Sequence, residues 1–181
     1  LPDGCYEERS TCYTLAALNM FLMPVDLAEK NGVRILDETE KQILRRSIDK
    51  VADITLPDGN LPDIGDEHTK PANTARVLAA GACHLDAHHA AEALRRLNLV
   101  RHLGEDTKKR VEKARAESIP RVVYQAGCGY FVAREGWTPD ASAMAFTVPP
   151  NGLPNHSHDD GLSLQLLVKG VPMLGTPLTE V

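Results

Sequence analysis

The chain has 181 residues, of which 43% are hydrophobic and 25% are charged, and its formal net charge is −5. This length and composition are typical of one or two globular domains with a substantial core. The negative charge argues against general nucleic-acid binding, which needs a basic surface, but a local basic patch remains compatible with an anionic substrate. No segment reaches the apolar length expected of a membrane span, and the beginning of the chain lacks the pattern of a secretory signal peptide.

The four cysteines are scattered along the chain at Cys5, Cys12, Cys83 and Cys128. Their spacing contains no CxxC pair, which argues against a structural zinc knuckle. Cys5 and Cys12 are close enough in sequence to pair, but the sequence leaves this open. Because the chain begins without Met and ends in an apolar run, we expect it to be an excerpt of a longer protein.

The first two thirds of the chain predict helices. Apolar residues recur with a helical period from Thr11 to about Lys30, where Pro24 is expected to kink or split the helix and Asn31-Gly32 to end it. Asp37 and Glu40 have the spacing of a capping box at the start of a second helix, which ends before the turn-rich loop 56–62. Further helices are predicted at about 74–83, 85–103 and 105–118.

From Ile119 onwards the pattern changes to short β-branched or alternating segments separated by Gly and Pro, and it predicts strands at 121–125, 129–134, 143–148, 162–168 and 171–174. Helices first and strands second predict an α+β multidomain chain rather than an α/β sheet. We therefore predict a helical portion at 1–118 and a β portion at 119–181.

The segment 155–163, NHSHDDGLS, concentrates groups that transfer protons or bind metals. Alternate side chains of a strand share a face, so His156 and His158 would point the same way. Imidazole titrates near neutral pH and is a common metal ligand, so the pair suits acid/base chemistry or metal binding. The alternative is a solvated polar turn, and the spacing alone does not decide between them.

Two further pairs of residues each allow a functional and a structural interpretation. Arg134 and Trp137 could bind a sugar carboxylate or sulfate and stack on a sugar ring, or Arg134 could pair with a local acid beside a core Trp. His84 and His88 have the spacing of a metal clip on one helix, but a packed or solvated face is the favoured interpretation.

Four segments together resemble the heparinase II/III-like polysaccharide lyases. In that family a strand with a GYFVxRxGW-like signature precedes an HxHxDxLSF signature, and earlier segments read DGxxxExSxxYH and PDGxLPxIGD. The matching segments of this chain, in the family's order, are 3–13, 56–66, 129–137 and 156–163. The resemblance implies a partial (α/α) toroid followed by the first strands of an antiparallel β-sandwich. It also implies a periplasmic or secreted protein.

The resemblance further implies β-elimination at a uronic acid of an acidic polysaccharide, such as a glycosaminoglycan or alginate. Tyr13 matches the family's catalytic Tyr, and a phenol with a reference pKa of about 10 suits a proton donor. His156 matches the His at the substrate, and Asp160 matches an Asp that orients a histidine.

His158 matches a ligand of a structural zinc, but Thr176 stands where the family usually has an Asp ligand, so a zinc site is in doubt. We expect the isolated chain to be inactive, since the resemblance places further substrate-holding groups outside it. The alternatives from other classes are a non-catalytic carbohydrate-binding or structural remnant of this fold and, less favoured, a metal-dependent hydrolase.

Overall fold

The computed structural model describes residues 4–8, 10–64, 69–148 and 162–175. Within these ranges the helices come first and the strands second, as the sequence predicts. The helices are α1 (Thr11–Lys30), α2 (Glu38–Ile54), α3 (Pro71–His84), α4 (His88–Arg96), a 3-10 turn (Leu99–His102) and α5 (Glu105–Lys113). The strands are β1 (Val122–Gln125), β2 (Tyr130–Arg134), β3 (Ala143–Thr147), β4 (Leu164–Val168) and β5 (Val171–Leu174).

The ends of α1 and α2 follow the capping signals of the sequence. The side chain of Asp37 accepts a hydrogen bond from the Glu40 backbone at 2.8 Å, and the Glu40 side chain accepts one from the Asp37 backbone at 2.8 Å, which completes the predicted capping box. Asn31 caps the C-terminus of α1, as predicted. Pro24 lies inside α1, and the helix continues past it to Lys30, so the expectation of a split was wrong.

The predicted helix over 85–103 begins three residues later, at His88, and ends at Arg96 before the 3-10 turn. Asp86 and Asn98 adopt left-handed backbone conformations, with φ of 54° and 52°. Asp and Asn tolerate this conformation better than other residues with side chains, so each allows the chain to turn between helices. The last helix, α5, ends at Lys113 rather than at 118.

The five strands form one sheet in sequential order, and every neighbouring pair is antiparallel. Side chains of β2 and β3 alternate between buried and half-buried positions, which is the period-two pattern of a strand with one face on a core. Val132, fully buried in β2, packs with residues of the helices in one hydrophobic core.

Contacts join the helices to the sheet at α2 and at the turn between β1 and β2. The Gln125 side chain donates a hydrogen bond to the Lys50 carbonyl at 2.8 Å. A disulfide bond links Cys5 to Cys128 across 123 residues. The sequence left open whether Cys5 pairs with Cys12, and in the fold Cys5 pairs with Cys128 instead. The predicted boundary near residue 118 stays a prediction.

Helix α1 presents two different faces. Leu15, Leu18 and Leu22 are buried in the core, whereas Phe21 and Leu27 are 62% and 64% exposed. By length and composition alone, α1 is apolar enough to cross a bilayer, a test that buried helices of water-soluble proteins and signal sequences also pass. The expectation that the chain has no membrane span therefore stays a prediction.

Candidate active site

The first turn of α1 holds Tyr13 and is fixed by contacts to a distant loop. Ser10 caps the helix and accepts a hydrogen bond from the Tyr13 backbone at 3.4 Å. The Thr11 hydroxyl donates to the Pro62 carbonyl at 2.8 Å, and the Thr11 backbone donates to the Ile64 carbonyl at 3.1 Å. Ser10 and Thr11 are both fully buried. Since buried polar groups need partners, these bonds fix where the helix begins and therefore where Tyr13 lies.

Tyr13 lines a cavity of about 340 Å³ between α1 and α3. The residues of α1 that line the cavity lie in the first half of α1, and those of α3 lie in the first half of α3. The lining residues from the two helices and the preceding loop are Cys12, Tyr13, Leu15, Ala16, Asn19, Thr69, Asn73, Arg76 and Val77. The two helices thus run in parallel, with both N-termini at the Tyr13 end. Helix N-termini carry partial positive charge, so this end of the cavity favours an anionic ligand.

A second cavity, of about 370 Å³, continues the first one along α1 and α3, because Asn19, Arg76 and Val77 line both. At its far end the His84 ring contacts Glu29, and its other nitrogen lies 3.3 Å from Asp26. His84 ends α3 and His88 begins α4, so the two histidines do not share a helix. Within the described ranges, no group of three or more His, Cys, Asp or Glu side chains is placed to hold a metal ion.

Arg134 lies beneath the sheet, away from the residues that line the Tyr13 cavity. It is 4% exposed, its guanidinium donates to the Asp53 carbonyl, and its charge stacks 4.7 Å from the ring centre of Trp137. Burial lowers the pKa of Arg134 to about 10. Its Nε and Nη1 atoms have no hydrogen-bond partner among the described residues. Substrate binding by Arg134 and Trp137 stays a prediction, as does its alternative, an Arg134 paired with a local acid.

Asp53 and Asp49 extend this buried polar cluster towards α4. The Asp53 carboxylate lies 2.7 Å from the His89 ring. Asp49 accepts hydrogen bonds from the backbone of His89 at 3.1 Å and of Ala90 at 3.3 Å, so it caps α4 from a neighbouring helix. Burial raises the pKa of both carboxyl groups. No sequence pattern indicated this cluster, because His89 and Arg134 are 36 and 81 residues away from Asp53 in the chain.

The predicted residues His156, His158, Asp160 and Thr176 lie outside the described residues. The residues that flank segment 149–161 are described, and they lie side by side, because the Leu162 backbone donates to the Thr147 carbonyl at 3.0 Å. The roles of the four predicted residues therefore stay predictions.

Gln165, three residues after Leu162, connects this end of the sheet to the loop that holds α1. The Asp63 backbone donates to the Gln165 side chain at 2.9 Å, and the Gln165 amide donates back to the Asp63 carbonyl. Asp63 lies between Pro62 and Ile64, the two residues that bind Thr11. A continuous set of hydrogen bonds therefore joins the first turn of α1 to the start of β4. No sequence signal identified Thr11 or Gln165.

The α+β architecture of helices followed by a sequential antiparallel sheet is that of heparinase III structures. A solved heparinase III with methylated lysines matches 97% of the chain with a TM-score of 0.69 at 21% identity. Heparan sulfate lyase HepC from Pedobacter heparinus matches 95% with a TM-score of 0.65 at 22% identity. These similarities establish the fold.

A curated relative, the heparin-sulfate lyase of Pedobacter heparinus, is 25% identical over 172 residues, which cover 93% of this chain and 24% of that protein. No protein-family model matches the chain. The resemblance to heparinase II/III-like lyases that the motifs predict is confirmed by this relative and by the fold. The chain spans about a quarter of the length of the relatives it matches.

Proposed function

We propose that the protein containing this chain is a polysaccharide lyase that cleaves a uronic-acid-containing polysaccharide by β-elimination. The observation that carries this proposal is the set of hydrogen bonds from the first turn of α1 through Asp63 to Gln165. It places the helix turn that bears Tyr13 and the strand that follows segment 149–161 on a common support. Tyr13 lies in that helix turn, and His156 precedes that strand by eight residues in the sequence. The similarity to a heparin-sulfate lyase supports the same reaction class.

In the proposed reaction the C5–H bond of the uronate and its C4–O4 bond both break. The electron pair of the C5–H bond forms the C4–C5 double bond, and the proton ends on a protein base. The departing O4 takes up a proton from a protein acid. Tyr13 is proposed as the acid, or as acid and base in turn, and His156 as the group that assists proton transfer or neutralises the uronate carboxylate.

We also propose that residues 1–118 form a partial (α/α) toroid and that residues 119–181 form the start of a β-sandwich. The parallel arrangement of α1 and α3 supports the first, since helices of equal direction recur in such arrays. The single five-stranded antiparallel sheet supports the second.

A structural zinc is not part of the proposal. The resemblance supplies His158 as one ligand, but Thr176 offers a neutral hydroxyl where a carboxylate ligand is expected, so a zinc site is in doubt.

A periplasmic or secreted location is part of the proposal. The Cys5–Cys128 disulfide supports it, because disulfides persist in oxidising compartments. The proposed partner is an acidic polysaccharide.

The test is the ultraviolet absorbance of the unsaturated uronate product, measured on the full-length protein with heparan sulfate and alginate. We expect Tyr13→Phe to lower kcat about 10²- to 10⁴-fold, since it removes a proton-transfer group and keeps the ring. Tyr124→Phe is the matched control, because Tyr124 lies 61% exposed on β1. Full activity of Tyr13→Phe would overturn the role of Tyr13, and glycan binding without any turnover in the parent protein would instead favour a carbohydrate-binding remnant.

A further inference from the structure

Arg76 is the one charged side chain among the described residues that line the Tyr13 cavity. Several basic helix residues bind acidic neighbours: Lys30 binds Asp26 at 2.6 Å, and Arg96 binds Glu92 at 2.5 Å. Arg76, by contrast, is exposed and has no ion pair or side-chain hydrogen bond to any described residue. An Arg without an acidic partner, in a cavity whose other described lining residues are neutral, leaves its hydrogen-bond donors available to an anion.

Asn73 lies one helical turn before Arg76 and lines the same cavity. Side chains three residues apart on a helix are neighbours on one face, so the amide of Asn73 and the guanidinium of Arg76 lie on the same side of α3. Lys70, three residues earlier, is the N-cap residue of α3 and makes no side-chain cap. The face of α3 that lines the cavity therefore combines one amide, one cation and the positive end of a helix.

We propose that Arg76 and Asn73 form a subsite for an anionic sugar substituent, a carboxylate or a sulfate, next to Tyr13. A guanidinium fork binds either group through two parallel hydrogen bonds, and the Asn73 amide donates to a remaining oxygen. Because Arg76 also lines the second cavity, the subsite lies where a polysaccharide would leave the Tyr13 cavity along α1 and α3. This inference rests on the proposed function, and it adds residues that hold the chain rather than transfer protons.

The experiment measures kcat and KM of the full-length protein carrying Arg76→Ala, Arg76→Lys or Asn73→Ala. A hydrogen-bonded charge removed from a binding site should raise KM about ten- to a hundredfold with little change in kcat. Arg76→Lys should recover part of this loss, since it keeps the charge and loses the fork. Arg46→Ala is the matched control, because Arg46 is an exposed helix residue that lines neither cavity.

Three glycan preparations identify the anion: a sulfated uronate polysaccharide, its desulfated form and its carboxyl-reduced form. Their binding to the Tyr13→Phe protein is measured, because the carboxyl-reduced form lacks the group that acidifies C5–H and is not cleaved. If Arg76→Ala weakens binding of only the two preparations that carry sulfate, the subsite binds sulfate. If the weaker binding persists after desulfation but vanishes after carboxyl reduction, the subsite binds carboxylate. Affinities for all three equal to those of the Arg46→Ala variant overturn the subsite while leaving the lyase proposal intact.

Binding to the Tyr13→Phe protein, measured by calorimetry, separates this inference from the proposed function. Weaker binding on adding Arg76→Ala supports the subsite even if the parent protein shows no turnover. Unchanged binding overturns it. Circular dichroism checks that Arg76→Ala keeps its helices, which we expect because Ala is the best helix former.

Discussion

The Cys5–Cys128 disulfide and a Cys5–Cys12 disulfide would stabilise the fold by different free energies, so a stability measurement distinguishes the two pairings. In the chain-entropy model, a disulfide stabilises the fold by restricting the unfolded chain, and the effect grows with the logarithm of the loop it closes. A separation of 123 residues gives about 5 kcal/mol at 25 °C, whereas a bridge from Cys5 to Cys12 would give about 2 kcal/mol. The first figure is comparable to the whole stability of a small domain.

We therefore expect Cys128→Ala to lower the free energy of unfolding by about 5 kcal/mol and to abolish its sensitivity to reducing agents. Urea unfolding with and without reductant measures both effects, and peptide mapping of the unreduced protein identifies the bonded pair. Cys12→Ala is the control and should keep the reductant sensitivity of the parent. The reverse pattern, with sensitivity lost in Cys12→Ala and kept in Cys128→Ala, would refute the pairing.

Two further predictions concern the core and the buried carboxylates. Gly81→Ala should lower the free energy of unfolding in urea by about 1–3 kcal/mol, although Ala favours helices, because its Cβ would lie 2.6 Å from a branch methyl of buried Ile48. The control Gly136→Ala meets its nearest atom at 3.6 Å, and equal losses in the two variants would contradict this reasoning. Burial raises the pKa of Asp53 above its ordinary 3.8, so the folded state holds this proton more tightly than the unfolded chain. The stabilisation from this proton should therefore be lost as pH rises from 3.8 through the raised pKa. Between about pH 4 and about pH 5.5 the free energy of unfolding of the parent should fall relative to that of Asp53→Asn, and a constant difference between the two proteins would contradict this reasoning.

Sequence patterns predicted those parts of the fold that depend on neighbouring residues. The capping box of Asp37 and Glu40 and the alternation of β2 and β3 are local, so the helix start and the strands appear where expected. The break at Asn98, inside the predicted helix 85–103, was missed because a single left-handed residue between apolar neighbours leaves no periodic signal. The partner of Cys5 was missed because pairing across 123 residues is set by the folded chain and not by spacing.

The candidate site also contains residues that a local motif predicts and residues that only the folded chain brings together. Tyr13 was predicted from a motif, whereas Arg76 was not, because a single Arg in an alanine-rich helix resembles any solvated surface residue. The three-residue spacing of Lys70, Asn73 and Arg76 was the signal that could have identified it, provided that α3 was known to face Tyr13. The sequence left two roles open for Arg134, and its contacts with the Asp53 carbonyl and the Trp137 ring could not be predicted, because Asp53 is 81 residues away in the chain.

The polar residues around the start of α1 explain why the position of Tyr13 depends on both parts of the chain. Thr11 is fully buried and Gln165 is 8% exposed, and neither packs as an apolar residue would. Each instead satisfies backbone groups of the loop 62–64, which would otherwise be buried without partners at a cost of about 1–3 kcal/mol each. The loop is thus held from the helix on one side and from the sheet on the other. Gln165 therefore aligns the sheet with Tyr13 together with the Cys5–Cys128 disulfide, which joins the turn after β1 to the segment before α1.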